Sequence, residues 1–249
     1  MNRSTYFSIG VVSILALLAC DGDESAAGGG GAGEGAGSAG GNAAQGGGGG
    51  SNLDWQALMT ADWQLGPGEE LTSDIHTLTL DRDIFVGAIR PIAPKGTHHT
   101  VLANGPQIMA NIIYASGVGT NALEFPPGVG LKLHKGDTLV LQLHLFNTAF
   151  EPLSGTSGIE IVEIAPENVE QEADIFLPGP LDLNISPNQV TTQTGVCDIN
   201  SEQTVFAVFP HMHQLGTHFK TTLTVGGTDT VLHDGDYDFN HQAFIPFDP

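Results

Sequence analysis

Basic residues and cysteines are scarce in this sequence, and no window shows a sustained helical period. Only 7 Lys and Arg stand against 28 Asp and Glu, so the formal net charge is −21. A chain of this charge repels the phosphate backbone, and nucleic acid is therefore not expected as a partner. The basic side chains are also scattered singly, so no basic patch is available for anionic lipid headgroups. Any contact with a membrane has to come from another feature.

The first 20 residues have the features of an export signal. Arg3 precedes an apolar run over residues 9–19, which is too short to span a bilayer but has the length of a secretory h-region. The run ends in Leu-Leu-Ala-Cys20, which resembles the lipobox of bacterial lipoproteins. This resemblance implies that Cys20 is lipidated and anchors an exported protein to a membrane, in the periplasm or at the cell surface. An ordinary signal peptide with a chance cysteine is the alternative, and both predict export.

Residues 21–51 consist almost entirely of Gly, Ala, Ser and small polar residues. Such a composition buries nothing, so this segment is predicted to be a disordered tether. A Gly-rich coil of roughly 30 residues has a root-mean-square reach on the order of 30 Å. The tether would hold a folded domain clear of the lipid surface.

From Asn52 onward, short apolar or alternating runs are separated by Gly, Pro and Asx turns. This pattern predicts an all-β fold of the sandwich type, with a short helix at Asp54–Met59. A polar, acidic segment over residues 165–174 predicts a boundary between two sandwich domains, at residues 52–168 and 169–249. The predicted strands are Ile75–Leu80, Ile84–Ile89, Thr97–Ala103, Met109–Ala115, Thr138–Phe146, Gly158–Ile164, Thr204–His213 and Thr217–Val225, and a further apparent strand is Gln242–Phe247.

The spacing of the ten histidines separates candidate ligands from the rest. His211 and His213 lie at i and i+2 of a predicted strand, where both imidazoles would share one face. His98 and His99 are adjacent, so both can reach one ion only at a strand end or a bulge. Gly96 permits such an irregularity. Four other histidines are predicted to be ordinary surface or hydrogen-bonded side chains, namely His76, His134, His233 and His241.

Four phrases of the sequence contain histidines or a glutamine in a characteristic spacing. They are Gly96–Leu102, Leu141–Asn147 with Ser154–Ile159, His211–Gly216 and Asp236–Gln242. Together the first three resemble motifs of the copper type II, ascorbate-dependent monooxygenases, the family of dopamine β-monooxygenase and peptidylglycine α-hydroxylating monooxygenase. They are similar, in order, to the adjacent-histidine motif, the Q-x-H-x-x-N strand with its following Ser-Gly phrase, and the H-x-H-x-x-G motif of that family. The fourth resembles its downstream D-F-x-x-Q phrase.

The resemblance implies two β-sandwich domains, each with one copper, that face each other across a solvent-filled cleft. His98, His99 and His144 would hold a first copper that passes an electron. His211 and His213 would be ligands of a second copper, which binds O2 and hydroxylates a C–H bond of a small organic substrate. Ascorbate or another reductant would reduce both ions. Neutral imidazoles suit copper in both oxidation states, and such a site prefers Cu(II) to Zn(II).

The sequence departs from the family pattern at the second copper. The family supplies a methionine ligand downstream of H-x-H, but no methionine follows His213 here, and Cys197 has no partner after export. We therefore expect a truncated chain whose second sandwich is incomplete; a natural, degenerate member that binds copper at the cell surface without catalysis is the alternative. Phe209 and Pro210 also stand where the amidating branch places a basic residue, which disfavours a peptidylglycine substrate.

Two other metalloprotein classes fit less well. A cupin-type site requires a glutamate shortly after H-x-H, and residues 214–220 contain no acidic residue. A blue-copper carrier requires Cys, His and Met close together, and Cys197 has no such neighbours.

Overall fold

The computed structural model describes residues 53–179 and 183–247. The predicted signal sequence, the lipidation site at Cys20 and the tether lie outside these residues. Within them, the predicted all-β class is confirmed, and no helix is long and apolar enough to cross a bilayer. The strands are β1 Gln56–Leu65, β2 Glu70–Thr72, β3 His76–Thr79, β4 Ile84–Ile92, β5 Thr97–Asn104, β6 Ile112–Ser116, β7 Leu123–Glu124, β8 Val129–Leu133, β9 Thr138–Phe146, β10 Leu153–Glu163, β11 Gln171–Ala173, β12 Ala207–Val208, β13 His218–Val225, β14 Thr228–Asp236 and β15 Ile245–Pro246.

Two sheets form a sandwich from β1 to β11. One sheet has the order β1-β10-β4-β8-β11, with β7 paired to β4, and the other has the order β2-β9-β5-β6, with β3 paired to β9. All pairings are antiparallel except that of β11 with β8. Strand β11 therefore belongs to the first sandwich, although the boundary predicted from the sequence assigns its residues to the second domain.

The apolar period of β9 determines which of its faces is covered. Leu139, Leu141, Leu143 and Leu145 are each at most 1% exposed, and β9 packs against β1 and β10 of the opposite sheet. Because side chains alternate along a strand, His144 projects from the other face. The alternation thus places His144 on the outer surface of the second sheet.

The helix predicted at Asp54–Met59 is wrong, because these residues lead into β1. Met59, Ala61, Trp63 and Leu65 are buried, and the residues between them are exposed. This period of two is the burial pattern of a strand that covers a core with one face. The alternation begins only at Met59, which is the last residue of the segment predicted to be a helix.

The later part of the chain contains two two-stranded sheets, β12 with β15 and the hairpin of β13 with β14. The strand predicted at Thr204–His213 is reduced to Ala207–Val208. Beyond Val208, the backbone N–H and carbonyl of Phe244 bond to the Asn121 side chain instead of to this strand, and Pro210 has no N–H to donate. Residues 206–209 are nevertheless buried. Cys197 is exposed and forms no disulfide within the described residues.

Candidate metal centre

A β-bulge brings the adjacent histidines to one side of the sheet. Between β5 and β9, Thr97 is paired with Leu145 and His99 with His144, so His98 is an extra residue on β5. Gly96 precedes the bulge with φ of 102°, where a side chain would be strained and would lie 2.7 Å from Trp63. The irregularity predicted from Gly96 is therefore confirmed, and it allows His98 and His99 to point to the same place.

Three imidazole nitrogens converge at this bulge. His98 Nδ1 lies 2.8 Å from His99 Nδ1, and His99 Nδ1 lies 3.3 Å from His144 Nδ1. Each of the three side chains offers a ligand atom, and these atoms all lie within 4.8 Å of one another. A contact between two imidazole nitrogens holds at most one proton, so at least one nitrogen of each contact presents a lone pair. This is the donor set that a transition-metal ion requires.

Glu70 fixes the orientation of His144. Strand β2 pairs with β9 so that Thr72 lies opposite His144. Glu70 lies two residues before Thr72, on the same face of the sheet. His144 Nε2–H donates to Glu70 Oε1 at 2.7 Å, which leaves the lone pair of His144 on Nδ1, toward the cluster. A carboxylate that accepts from the far nitrogen of a ligating histidine is a common support of metal sites.

Asn147 holds the turn that carries Glu70. Its side chain is fully buried, its Nδ2 donates to the carbonyl oxygens of Gly66 and Glu151, and its backbone N–H donates to Glu69 O. The asparagine of the Q-x-H-x-x-N phrase therefore has a structural position in this chain. It ties the start of β2 to the end of β9, three residues after His144.

His211 is presented from the later part of the chain in a fixed tautomer. Gln242 Nε2 donates to Phe239 O at 2.9 Å, so Gln242 Oε1 faces His211 and accepts from His211 Nδ1–H at 2.6 Å. The lone pair of His211 is then on Nε2. That atom is buried and has no hydrogen-bond partner, and the same holds for His99 Nε2.

Contacts with the first sandwich hold this later segment in place. The Asn121 side chain accepts from Phe244 N–H at 2.7 Å and donates to Phe244 O at 3.2 Å. Gly117 leaves space for Gln242, because a Cβ at this glycine would lie 2.6 Å from the carboxamide. The loop after β6 thereby positions His211 against the sheet that carries the other histidines.

His213 does not follow the strand geometry predicted for it. Residues 211–213 lie outside any strand, and His211 is 3% exposed whereas His213 is an exposed side chain. Their ring centroids are 5.5 Å apart, and a turn in which Gly216 N–H donates to His213 O follows directly. Met212 points away from the histidines, since its side chain packs where Gly216 has no Cβ.

The structure brings the two predicted ligand sets next to each other. The rings of His99 and His211 lie edge to face with centroids 6.0 Å apart, and both are buried. Phe239 covers the cluster, with ring centroids 5.1 Å from His98 and 6.2 Å from His99. The resemblance implied a solvent-filled cleft between the two sets, and in this structure no such cleft separates His99 from His211.

Burial keeps these imidazoles neutral. Desolvation, followed by the charges of His98 and His211, lowers the pKa of His99 to about 2. Burial lowers the pKa of His211 to about 4, although its hydrogen bond to Gln242 acts in the opposite direction. Burial and His144 also lower the pKa of His98. Neutral imidazoles with free lone pairs are the protonation state in which histidine binds metal.

The donor chemistry of the site fits copper. Three converging imidazoles suit Cu(I) and Cu(II), and the supporting carboxylate and carboxamide orient the ligand lone pairs. Sequence reasoning did not identify Glu70, which is distant in sequence and adjacent to a second glutamate, and it assigned no role to Gln242 or Phe239. The group of three converging histidines does not include His76, His134, His233 or His241, which were predicted to be ordinary side chains.

Comparison with known proteins adds no assignment to this geometry. A scan against protein-family models finds no match to the chain, and a search of curated proteins finds none either.

Proposed function

We propose that this chain is a copper-dependent monooxygenase that hydroxylates a C–H bond of a small organic substrate with O2 and a reductant such as ascorbate. The observation that supports this proposal most directly is the convergence of His98, His99 and His144, whose ligand atoms lie within 4.8 Å of one another. Bound copper would supply the one-electron and O2 chemistry that no side chain of the protein can perform. The order of the motifs supports the same assignment.

The residues around the cluster would have separate roles. Glu70 holds a proton at His144 Nε2, and Gln242 holds one at His211 Nδ1, so each imidazole keeps its other nitrogen for the metal. Phe239 covers His98 and limits the access of water. His213 is exposed beside His211, on the side from which a substrate could approach.

A copper-binding protein without catalytic activity is the second candidate. Within residues 53–179 and 183–247, His98, His99 and His144 form the only set of three or more candidate ligands that are this close together. This observation favours a single copper site that sequesters or senses the metal.

Copper content and oxygen uptake distinguish the two candidates. We would measure both on the purified chain with ascorbate and a panel of benzylic and aliphatic small molecules, and would trace labelled O2 into the product. Substrate-dependent uptake with label in a hydroxylated product supports the monooxygenase. Tight copper binding without substrate-dependent uptake supports the second candidate.

Two variants separate specific from adventitious copper. His144→Ala removes one of the three converging nitrogens and should abolish tight binding of the first copper. His134→Ala changes an exposed histidine at the turn before β9 and should retain the copper and activity of the parent protein. Equal copper binding by both variants would contradict the proposed site.

We further propose that lipidation of Cys20 places the protein at a membrane surface, in the periplasm or outside the cell. The lipobox-like sequence supports this proposal. Lipid labelling of the chain and of a Cys20→Ser variant in cells tests it, and equal labelling of the two would contradict it.

A further inference from the structure

The three-histidine cluster reaches solvent at the ring of His144. The His144 side chain is 29% exposed, and its Nε2–H donates at 2.7 Å to Glu70, whose side chain is 61% exposed. By contrast, His99 is buried, and Phe239 lies over His98 with ring centroids 5.1 Å apart. Electron transfer between two centres slows steeply with distance. A donor in solvent therefore finds an open approach to the cluster at the exposed edge of His144.

An aromatic side chain continues this surface. Phe146 lies two residues after His144 on the same face of β9, and the pairing of β2 with β9 places it directly opposite Glu70. Phe146 is 40% exposed. We call His144, Glu70 and Phe146 the exposed strip. Aromatic residues are enriched where proteins contact their partners, so the composition of the strip is that of a protein contact.

The chain around the strip is strongly acidic. Its formal net charge is −21. The Glu70 carboxylate belongs to the strip itself, and four basic side chains elsewhere are paired with carboxylates, namely Arg82, Arg90, Lys132 and Lys220. Lys95 lies closer to the strip, because it precedes Gly96, whose carbonyl accepts from Phe146 N–H at 2.8 Å. A surface of this net charge attracts a positively charged partner and slows the approach of an anion.

We propose that the exposed strip is the docking surface for an electron-donor protein with a basic contact face. One electron passes from this donor through the His144 ring to copper at the three-histidine site. The donor is oxidised by one electron and Cu(II) is reduced to Cu(I), and no proton or group is transferred. This inference rests on the copper site proposed above, and it adds the class of partner that reduces that site.

A basic c-type cytochrome and the same cytochrome with succinylated lysines are matched probes, because they carry the same haem and opposite charge. We would add each oxidised probe to the metal-free, isotope-labelled chain and follow the backbone amide shifts by nuclear magnetic resonance. The basic probe should shift the amides of β2 and of residues 144–146, and high salt should abolish these shifts. The succinylated probe should cause none. After mixing with the Cu(II)-loaded chain, the reduced basic probe should be oxidised severalfold faster than the succinylated one.

Variants separate the strip from the general acidity of the chain. On the metal-free chain, Glu70→Gln should weaken the Kd of the basic cytochrome about two- to fivefold, and Lys95→Ala should strengthen it by a similar factor. Glu172→Gln is the control for the loss of one charge, because Glu172 is exposed on β11, in the opposite sheet. Its Kd should stay close to that of the parent chain.

The outcomes distinguish this inference from the proposed function. Amide shifts that spread over the acidic surface without a centre on the strip would overturn the docking surface and leave the copper function intact. Equal Kd values for Glu70→Gln and Glu172→Gln, or equal oxidation rates for the two cytochromes, would do the same. A chain that docks the basic cytochrome on the strip but binds no copper would overturn the proposed function, and the electron transfer with it.

Discussion

Replacing Glu70 tests whether the histidine cluster is a metal site or only a group of packed imidazoles. In the structure, the carboxylate accepts a 2.7 Å hydrogen bond from His144 Nε2–H and so keeps the His144 Nδ1 lone pair directed at the cluster. Glu70→Gln removes the negative charge and allows the carboxamide to present either N–H or oxygen to the ring. An N–H would favour the tautomer that protonates Nδ1, which cannot bind copper.

The expected magnitude follows from the exposure of the pair. Partners of this kind usually change metal affinity by about 10- to 100-fold. The side chain of Glu70 is 61% exposed and that of His144 is 29% exposed, so solvent screens the interaction. We therefore expect the lower end of the range, a Kd for Cu(II) about tenfold weaker, which corresponds to about 1.4 kcal/mol.

Competition titration with a chelator of known affinity measures this change. Glu69→Gln is a matched control, because Glu69 is the adjacent residue and its carboxylate accepts from the Gly66 N–H at 2.6 Å instead of from His144. That variant should bind copper as the parent chain does. If Glu70→Gln and Glu69→Gln bind copper equally well, Glu70 does not support a metal ligand and the argument for His144 loses its main support.

Three further predictions concern stability. Gly117→Ala places a methyl group 2.6 Å from the Gln242 carboxamide, which binds His211, and should lower the free energy of unfolding by about 1–3 kcal/mol. Gly235→Ala is the control, because its Cβ would lie 3.5 Å from the nearest atoms, and it should have little effect in the same denaturant titration. Ser157→Ala removes the acceptor 2.7 Å from the buried Trp63 Nε1–H and should lower the free energy of unfolding by about 1–3 kcal/mol in a denaturant titration; an unchanged value would contradict this role of Ser157. In the metal-free protein, His211 alone should account for about 3 kcal/mol of the stability lost as the pH falls from about 6.5 to 4, because the unfolded chain takes up a proton on His211 that the folded chain, with a His211 pKa of about 4, excludes. His99, whose pKa is lowered further, adds to the loss in the same direction. Denaturation over this range should therefore show a loss for His211→Gln that is about 3 kcal/mol smaller than that of the parent chain, and equal losses would contradict the assignment.

The parts of the site that depend on local backbone geometry could be predicted from the sequence. Adjacent histidines can share a face only at an irregularity, and Gly96 marked one, which the structure shows as the bulge at His98. The leucines of β9 alternate with His144, so the period of two puts His144 on the face opposite the core. In both cases, residues within a few positions of the histidine carry the information.

Contacts between distant segments could not be predicted in this way. Glu70 reaches His144 across 74 positions of sequence, through the pairing of a three-residue strand that has no apolar pattern of its own. The strand geometry predicted for His211 and His213 failed for a related reason. It assumed a regular ladder, but the pairing of β12 with β15 ends at Val208 and Ile245, because the Phe244 backbone bonds to the distant Asn121 side chain and Pro210 has no N–H.

The position of His211 shows why the two ligand sets meet. Buried aromatic residues flank it in sequence and in space, and Phe209 stacks on its ring and packs against Phe244. Asn121 then fixes the backbone of Phe244 from the loop after β6. His211 is therefore held by the same sandwich that carries His99, and not by a separate domain that would be free to move away.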